Sequence, residues 1–522
     1  MQVIDSAPRV AVALALALAA CGAEDGGEGP PEPEPALCDA LGEAIDGAAL
    51  ESHMIAFAEI ADANAGTRAV ATPGYARSAE HAVATLEAAG YQVERQVFEY
   101  PDYELVGPPD LALAGPEPRS YLFYEEFRVA RNSGSAALEA PLTPIAIVPG
   151  LGNASTSGCA IEDFAGLAPG AIAVVQRGTC SFNDKAENAA AAGAGAMILF
   201  NQGDSEERKG VFSLRVDAGT TIPVVSVGYE IGLSLAEAGA AGHLGRIQVA
   251  GREVDRQTEN VLVETPATAS GRVIMIGAHL DSVPAGPGIN DNGSGSAAVL
   301  ELAAQLQRCA PEHQVRLALW GAEELGLYGS YYYVATLPEE AQAKIALYLN
   351  LDMIASPNSA RAVYDGDGSA FGEPGPEGSA AIEAALAGYY AGLGLESGET
   401  AFDGRSDYGP FITVGIPAGG IFTGAEGSKS AHEAARFGGE ADAAYDPCYH
   451  QACDDLQNYD REELWINARA AAQVIGDFAS GTLPLPPPVT PRAARPSPRP
   501  PAAAHDGAVD SHSHPPCGDA SE

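Results

Sequence analysis

Three apolar runs in the second half of the chain each lead into acidic residues or a histidine, and this pattern constrains the fold more than any other feature. The runs and the residues after them are 272–278 with His279, 315–320 with Glu323 and Glu324, and 346–351 with Asp352. Short apolar runs are typical of buried strands, and the sites of open α/β sheets gather at the carboxyl ends of strands. We therefore expect one edge of a sheet to bring these polar side chains together.

The polar residues near these strand ends are of the types that bind zinc. Two imidazoles and three carboxylates are available as ligands: His279, Asp291, Glu324, Asp352 and His450. His279 and Asp291 lie twelve residues apart in the stretch G-A-H-L-D-S-V-P-A-G-P-G-I-N-D-N, and Glu323 is left over as a base. A base beside two metal ions is what a two-zinc hydrolase needs. Because four separated motifs agree, the sequence predicts a dinuclear metal site.

Strand-like and helix-like segments alternate along this half of the chain. They are residues 272–278, 295–308, 315–320, 341–351, 380–392, 416–422 and 461–479. Such alternation is typical of an α/β fold in which helices cover a sheet. We predict a mixed, mostly parallel sheet with helices on both faces.

A chain of 522 residues is too long for one ordinary core, so two folded domains with tails are expected. The middle of the chain indicates where the second domain lies. Residues 172–176, 197–200 and 223–227 resemble short strands, and an Ala-rich helix is expected at 184–193. A second, β-rich domain over residues 125–255 is therefore predicted.

The strongly acidic composition excludes some partners. The chain has 70 Asp and Glu against 28 Lys and Arg, a formal charge of -42. Such a surface repels nucleic acid and anionic membranes, and it attracts a positively charged group such as a free peptide amine.

The N-terminus has the features of an export signal. A short apolar run at residues 10–20 follows Arg9 and is too short to span a bilayer. It ends in L-A-A-C, which resembles the lipobox of bacterial lipoproteins and implies cleavage before Cys21 and lipidation there. The alternative is a simple secretory peptide in which Cys21 has no such role. In either case we expect export from a bacterial cell, with membrane contact only through a lipid anchor.

Eight cysteines in an exported chain predict disulfides. Three pairs are expected: Cys448 with Cys453, Cys159 with Cys180, and Cys38 with Cys309. The first would close a small loop around His450, the second lies within the middle segment, and the third follows by elimination. Cys517 lies in a Pro-rich tail, where no intramolecular partner is expected.

Several motifs, taken together, resemble one known family. They are H-L-D, G-I-N-D-N-G-S-G, W-G-A-E-E-L-G-L-Y-G-S, N-L-D-M-I and C-Y-H, with G-T-R-A-V-A-T-P-G-Y near the start. They are similar to those of the exported di-zinc aminopeptidases of the aminopeptidase S and aminopeptidase Y type. The resemblance covers about residues 50 to 480 and extends to the spacing and flanks of the motifs.

The resemblance implies a role for each ligand. His279 and Asp352 would hold one zinc ion, Glu324 and His450 would hold the other, and Asp291 would bridge the two. The implied cofactor is therefore two Zn²⁺ per chain.

Further residues match the catalytic positions of the family. Glu323 would take a proton from the attacking water and deliver it to the leaving amine. Tyr449 would hydrogen-bond the developing oxyanion. Asp281, two residues after His279, would orient the imidazole through its second nitrogen.

The resemblance also implies a substrate, a peptide with a free N-terminus. The amine would meet Glu323, Asp352 and the backbone carbonyl of Arg405. Met353 and Phe422 match apolar pocket positions, so large hydrophobic residues are expected at the N-terminus that is cut.

The middle segment resembles the protease-associated domain. The stretch G-A-I-A-V-V-Q-R-G-T-C-S-F-N-D-K-A-E-N matches its pattern, and Arg177, Phe182 and Lys185 match as structural residues. The predicted organisation is a signal peptide at 1–20, a flexible tether at 21–36, a peptidase domain at 37–124 and 256–482, the protease-associated domain at 125–255, and a disordered tail at 483–522.

Three alternatives remain open at this point. A carboxypeptidase of the same fold would need clustered cationic side chains, and only Arg405 is obvious near the motifs. A glutaminyl cyclase usually employs a single metal ion, which fits poorly with five ligands. A non-catalytic binding protein would lack a ligand or Glu323, and neither is missing.

Overall fold

The computed structural model describes residues 38–488, apart from 116–117, 149, 151 and 205–207. Several predicted features lie outside the described residues: the signal peptide, the tether, Cys21, Cys517 and the tail beyond residue 488. No helix in the described ranges is both long and apolar enough to cross a bilayer.

Helices and strands alternate through most of the described part. The helices are α1 (Leu41–Ala44), α2 (Gly47–Asp62), α3 (Pro73–Ala88), α4 (Phe182–Ala191), α5 (Tyr229–Ala240), α6 (Ser294–Leu306), α7 (Tyr328–Thr336), α8 (Glu339–Lys344), α9 (Ser379–Gly392), α10 (Gly409–Thr413), α11 (Ala431–Phe437) and α12 (Arg461–Ala479). The strands are β1 (Glu94–Leu105), β2 (Asp110–Ala114), β3 (Arg119–Ser120), β4 (Phe127–Val129), β5 (Ala136–Pro144), β6 (Ile172–Gln176), β7 (Ala196–Phe200), β8 (Val224–Val227), β9 (Leu244–Val249), β10 (Gly251–Glu264), β11 (Val273–His279), β12 (Gln314–Trp320), β13 (Ile345–Leu351), β14 (Ala362–Tyr364), β15 (Gly398–Thr400) and β16 (Ala418–Phe422).

The first sheet is mixed and mostly parallel. Its eight strands have the order β1-β10-β12-β11-β13-β16-β14-β15. The four central strands β12, β11, β13 and β16 run parallel to one another. β10 pairs in the antiparallel sense with β12 on one side and with β1 on the other. This arrangement confirms the predicted α/β class.

Side chains of the central strands alternate between two cores, one on each face of the sheet. Ile274 and Ile276 pack into a large core with α2, α3, α6, α9 and α12. Val273 and Met275 point to the opposite face, where they pack with residues of α7 and α10. Helices therefore cover both faces, as predicted.

The second sheet forms the inserted β-rich domain. Its eight strands have the order β3-β2-β9-β5-β6-β7-β8-β4, with α4 and α5 packed against it. The sheet begins at Asp110, before the predicted boundary at residue 125. Residues before 125 belong to it because β2 pairs with β9, and Leu111 and Tyr121 are buried in its core. The long antiparallel ribbon of β1 and β10 leads the chain into and out of this domain.

Several segments of the first domain differ from the sequence analysis, which does not predict the short elements β14, β15, α10 and α11. Residues 341–351 were treated as one segment, but the structure divides them between α8 and β13. The helix α7 was not predicted, because its tyrosine-rich sequence lacks a helical period and it begins directly after Leu327, which has a positive φ of 60°.

Three disulfides join the described cysteines, in the pairs expected from the sequence. Cys38–Cys309 links the start of the described chain to the segment after α6. Cys159–Cys180 lies in the inserted domain, and Cys448–Cys453 closes a small loop.

Gly277 lies where three strands and two aromatic side chains meet, so it offers a test of this packing. A Cβ at Gly277 would lie 2.7 Å from both Trp320 Nε1 and the Tyr348 hydroxyl, which are hydrogen-bonded to each other. We expect Gly277→Ala to lower the free energy of unfolding by about 1–3 kcal/mol, as overpacking does in cores. Denaturant unfolding measures this change.

Gly388 provides the matched control. It is exposed on α9, and a Cβ there would meet no atom within 4 Å. Gly388→Ala should leave stability unchanged or raise it by up to about 1 kcal/mol. Equal stability of the two variants would contradict the packing described at Gly277.

Candidate metal centre and active site

Three adjacent parallel strands deliver polar side chains to one edge of the first sheet. β11 ends at His279, β12 is followed by Glu323 and Glu324, and β13 is followed by Asp352. The strands lie in register, with His279 opposite Trp320. Because parallel strands share a carboxyl edge, these side chains meet there.

Asp291 and His450 reach the same place from loops. Asp291 lies in a tight turn, Ile289–Gly293, directly before α6. His450 has a positive φ of 57° and lies in the loop closed by Cys448–Cys453. The structure therefore gathers all five predicted ligands, although two of them are far from the strands in sequence.

Asp291 lies between the two imidazoles and faces both. Its Oδ1 is 3.2 Å from His279 Nε2, and its Oδ2 is 3.2 Å from His450 Nε2. On one side His279 Nε2 is also 3.3 Å from Asp352 Oδ1, and on the other His450 Nε2 is 3.0 Å from Glu324 Oε2. The five side chains thus form two groups that share one carboxylate.

Burial and mutual charge shift the pKa values of this cluster strongly. Burial alone would lower the pKa of His279, but Asp352 and Glu323 raise it well above its ordinary value. Burial would also lower the pKa of His450, and Glu324 and Asp291 raise it to about 10. Both imidazoles are therefore drawn towards the positively charged form by an excess of buried carboxylates.

The carboxylates respond to the same environment in opposite directions. Burial raises the pKa of Glu324 to about 6, against the effect of His450. Burial also tends to raise the pKa of Asp291, but hydrogen bonds with His279 and His450 hold it below its ordinary value. Of these two carboxylates, Asp291 is therefore the more firmly ionised.

Asp281 lies beside the imidazole and also holds the two glutamates. Its Oδ1 and Oδ2 accept hydrogen bonds from the backbone amides of Glu323 and Glu324, at 3.2 and 3.3 Å. His279 Nδ1 lies 3.1 Å from the backbone carbonyl oxygen of Asp281 and 3.7 Å from its carboxylate. Asp281 is therefore next to the second nitrogen of the imidazole, and its contacts with the two glutamates are an addition to the role expected from the sequence.

Glu323 stands beside the two groups without joining either. Its Oε2 is 4.0 Å from His279 Nε2, farther than the oxygens of Asp291 and Asp352. Burial raises the pKa of Glu323 well above its ordinary value, and Asp352 adds to the increase. A buried carboxylate with a raised pKa is a suitable acceptor for a proton at neutral pH.

The turn that contains Asp291 is fixed by a second carboxylate that the sequence analysis missed. Asp454 accepts hydrogen bonds from the backbone amides of Asn290 and Asp291, at 2.8 and 3.1 Å. Burial raises the pKa of Asp454 to about 7. Its position directly after Cys453 was the one signal that could have indicated it.

The loop between His279 and Asp291 is held by Arg68, which is fully buried. Its guanidinium donates to the backbone carbonyl oxygens of Leu280, Pro287 and Gly288, at 2.6, 2.8 and 2.5 Å. Arg68 lies in the G-T-R-A-V-A-T-P-G-Y stretch, whose role the sequence did not reveal.

A chain of hydrogen bonds runs from the core to Asp352. Trp320 Nε1 donates to the hydroxyl of Tyr348, which donates to Asn350. Asn350 donates to Ser406, and the hydroxyl of Ser406 donates to Asp352 Oδ2. This chain fixes Asp352 and leaves its buried Oδ1 facing His279 without a hydrogen bond.

Asp407 is a further buried acid near Glu323. It accepts a hydrogen bond from the hydroxyl of Ser330 through Oδ1, and its Oδ2 has no partner. Burial raises the pKa of Asp407 to about 8. Asp407 lies two residues after Arg405, to which the sequence analysis gives a role, but Asp407 itself is not predicted there.

Tyr449 and Arg405 lie together at the rim of the cluster. The Tyr449 ring stacks on His450, with centroids 3.8 Å apart. Arg405 Nη2 is 3.3 Å from the Tyr449 hydroxyl and 3.2 Å from Glu426 Oε1. Glu426 was not predicted from the sequence.

The cluster lies at the base of a cleft between the two domains, with a volume of about 1120 Å³. Met353 and Phe422 line this cleft, as do Tyr364 and Ala425. Met353 is buried and has a positive φ of 49° directly after Asp352. The structure therefore brings both predicted pocket residues to the same cleft as the cluster.

Arg68 offers a test of how the loop is held. Arg68→Met would leave three buried carbonyl groups without their donor, so we expect the free energy of unfolding to fall by about 3 kcal/mol or more. Arg77→Met is the control, because Arg77 is exposed and pairs only with Glu80 on the surface of α3. Denaturant unfolding of both variants measures the difference, and equal stabilities would contradict the role given to Arg68.

Comparison with known proteins supplies the family. Residues 260–475 match Peptidase family M28, and residues 139–235 match the PA domain. An aminopeptidase of Pseudomonas aeruginosa is 43% identical over 456 residues, which cover 85% of each chain. The probable lipoprotein aminopeptidase LpqL of Mycobacterium tuberculosis is 40% identical over 84% of this chain and 86% of its own.

Solved structures agree on the fold. An aminopeptidase from Aneurinibacillus sp. strain AM-1 has a TM-score of 0.64 at 24% identity, covering 87% of this chain and 98% of its own. A zinc aminopeptidase from Bacillus subtilis has the same TM-score and identity and covers 82% and 95%. With the sequence matches, these results show that the chain belongs to Peptidase family M28, carries an inserted PA domain, and is a peptide-bond hydrolase.

Proposed function

We propose that this protein is a two-zinc aminopeptidase, which removes the N-terminal residue from peptides. One observation carries the proposal: the carboxylate of Asp291 faces His279 with one oxygen and His450 with the other, at 3.2 Å each. A carboxylate shared in this way is suited to bridging two metal ions. The names of the relatives from Pseudomonas aeruginosa and Mycobacterium tuberculosis support the exopeptidase activity.

The spacing of the donor atoms fits zinc. Zinc bonds to nitrogen and oxygen are about 2.0–2.1 Å long, so two ligand atoms of a tetrahedral site lie about 3.3 Å apart. The four donor pairs that involve His279 Nε2 or His450 Nε2 within the two groups are 3.0–3.3 Å apart. His279, Asp291 and Glu324 also offer ligand atoms that all lie within 4.8 Å of one another.

The unsatisfied oxygens point to the same conclusion. Asp352 Oδ1 and Glu324 Oε1 are buried and accept no hydrogen bond. A buried carboxylate oxygen without a partner is costly, and a bound cation would remove that cost. His279 and Asp352 would hold one ion, Glu324 and His450 the other, and Asp291 both.

Zinc ions in this position would supply Lewis acidity, which polarises the peptide carbonyl and lowers the pKa of a water molecule so that it becomes a nucleophile at neutral pH. The protein's own residues would manage the proton. Glu323 would accept the proton of the attacking water and pass it to the leaving amine. Asp281 would keep Glu323 in place through its backbone amide.

Tyr449 would stabilise the negative charge that develops on the carbonyl oxygen when the peptide bond is attacked. Its hydroxyl lies at the rim of the cluster, and its ring is fixed by stacking on His450. Burial raises the pKa of this hydroxyl well above its ordinary value, and the nearby guanidinium of Arg405 opposes that increase. Arg405 is itself held by Glu426, so it is not free to act as a separate carboxylate receptor.

The N-terminal amine of the substrate would be recognised by negative charge. Glu323 and Asp352, with the backbone carbonyl of Arg405, would receive the ammonium group. Met353 and Phe422 would contact the first side chain, which favours large hydrophobic residues. The names of the fungal relatives, such as probable leucine aminopeptidase 2 of Aspergillus oryzae, support this preference.

The protein would have a peptidase domain and a PA domain, and it would be exported from the cell. The peptidase domain would comprise the first sheet and its helices, and the PA domain the second sheet. Disulfides and the likeness to a probable lipoprotein aminopeptidase support export and a lipid anchor at Cys21. Peptides with a free N-terminus would be the substrates.

Two glutamate variants separate the base from the ligand. Glu323→Gln should lower kcat for leucyl-p-nitroanilide by about 10²- to 10⁴-fold, because a general base is lost, while elemental analysis still finds zinc bound. Glu324→Gln should lose zinc as well as activity, because one ligand is lost. Zinc retained by both variants, or activity retained by Glu323→Gln, would contradict the assignment.

Chelation and blocked substrates test the reaction class. Removal of metal with a chelator should abolish release of leucine, and added zinc should restore it. Acetylation of the substrate amine should abolish cleavage, since the ammonium group would be missing. Release of C-terminal residues from acetylated peptides would instead support the carboxypeptidase alternative, and cyclisation of N-terminal glutamine would support the cyclase.

A further inference from the structure

Arginine side chains line one wall of the cleft, in a protein that is otherwise strongly acidic. This wall belongs to the inserted domain, and its arginines are Arg128, Arg131, Arg177, Arg208 and Arg215. We call these five residues the arginine wall. Among the described residues of the inserted domain that line the cleft, Glu125 is the one acid, although the whole chain has 70 acids against 28 basic residues.

The other side of the cleft has the opposite charge. Glu323, Asp352 and Glu426 line it, together with the rest of the ligand cluster. The cleft therefore has an acidic base and a basic wall. This is the charge distribution that would complement a peptide with an ammonium group at one end and a carboxylate farther along.

Parts of the arginine wall are fixed by contacts within the protein. Arg131 pairs with Asp102 at 3.2 Å. Arg215 donates to the carbonyl oxygen of Leu325 at 2.6 Å, which ties the inserted domain to the segment directly after Glu324. These contacts hold the wall against the cluster.

Arg128 differs, because no carboxylate of the described residues pairs with it. It lies half-buried on β4, and one of its terminal nitrogens donates to the hydroxyl of Ser213. Its Nε is buried and donates to no acceptor. Burial lowers the pKa of Arg128, but a guanidinium remains charged at neutral pH. A half-buried guanidinium that lines the cleft and has no paired carboxylate in the described part of the chain is a suitable receptor for an anion, which would bind at its accessible terminal nitrogens.

We propose that Arg128 binds a carboxylate of the substrate, downstream of the peptide bond that is cut. The proposal rests on the aminopeptidase function above, which places the N-terminal residue at the base of the cleft. A volume of about 1120 Å³ leaves room beyond the first residue. The arginine wall would thus select short peptides by their C-terminal carboxylate, or longer ones by an acidic side chain.

Matched peptides test the proposal on the unmodified protein. The substrates are Leu followed by one to four glycines, each as a free acid and as a C-terminal amide, and the readout is kcat/KM for release of leucine. We expect the acid to be preferred by about tenfold at one length of the series, as a charge-assisted hydrogen bond allows. The preference should fall with added salt. No preference for the acid at any length, together with no preference for an acidic side chain in peptide amides, would overturn the proposal.

Two further arms distinguish the source of the carboxylate. In peptide amides, one glycine is replaced by aspartate or by asparagine. If acidic side chains are recognised, the aspartate peptide should exceed the asparagine peptide by a similar factor. If only the C-terminal carboxylate is recognised, the two amides should be equal while the free acid keeps its advantage.

Substitution of Arg128 assigns the effect to this residue. Arg128→Gln should bring the ratio of acid to amide kcat/KM towards one, and Arg128→Lys should keep part of it. Arg77→Gln removes the same charge from the exposed surface of α3 and should leave the ratio unchanged. A ratio that survives in Arg128→Gln would overturn the assignment.

The two proposals fail in different ways. If the protein releases leucine at equal rates from acids and amides, and also from the aspartate and asparagine peptides, the aminopeptidase function stands and the role of Arg128 is wrong. If it releases no leucine from any of these peptides, the proposed function itself is wrong.

Discussion

The structure is organised around an excess of buried negative charge at one edge of the first sheet. Asp291, Glu323, Glu324 and Asp352 meet at one sheet edge with only two imidazoles among them. Burying ionised carboxylates without positive charge is too costly to persist, as the raised pKa values of both histidines demonstrate. The raised pKa values mean that protons on the imidazoles offset part of this negative charge. In the proposed centre, two divalent ions would offset it instead, and the surrounding hydrogen bonds would hold the ligands in position.

Much of the fold could be predicted because local sequence and final structure agree in the central sheet. Residues 273–278 carry no polar side chain because β11 is covered on both faces, and His279 follows them as the last residue of this strand. The boundary of the inserted domain could not be read in the same way. β2 and β3 are short, and their pairing with each other and with β9, far along the chain, assigns them to the second sheet.

The candidate ligands could be proposed from the sequence, whereas the residues that hold their loops in place could not. His279 and Asp352 have a recognisable place after a strand. Arg68 and Asp454 do not, because they act on backbone groups more than 160 residues away in the chain. The role of Asp281 shows the same limit: its carboxylate holds two backbone amides, a contact that spacing alone does not specify.

The most direct test of the proposed centre is anomalous X-ray diffraction from crystals of the zinc-loaded protein, measured on both sides of the zinc absorption edge. The account predicts two peaks, one between His279 and Asp352 and one between His450 and Glu324, with Asp291 between them. A single peak, or none at these side chains, would contradict it.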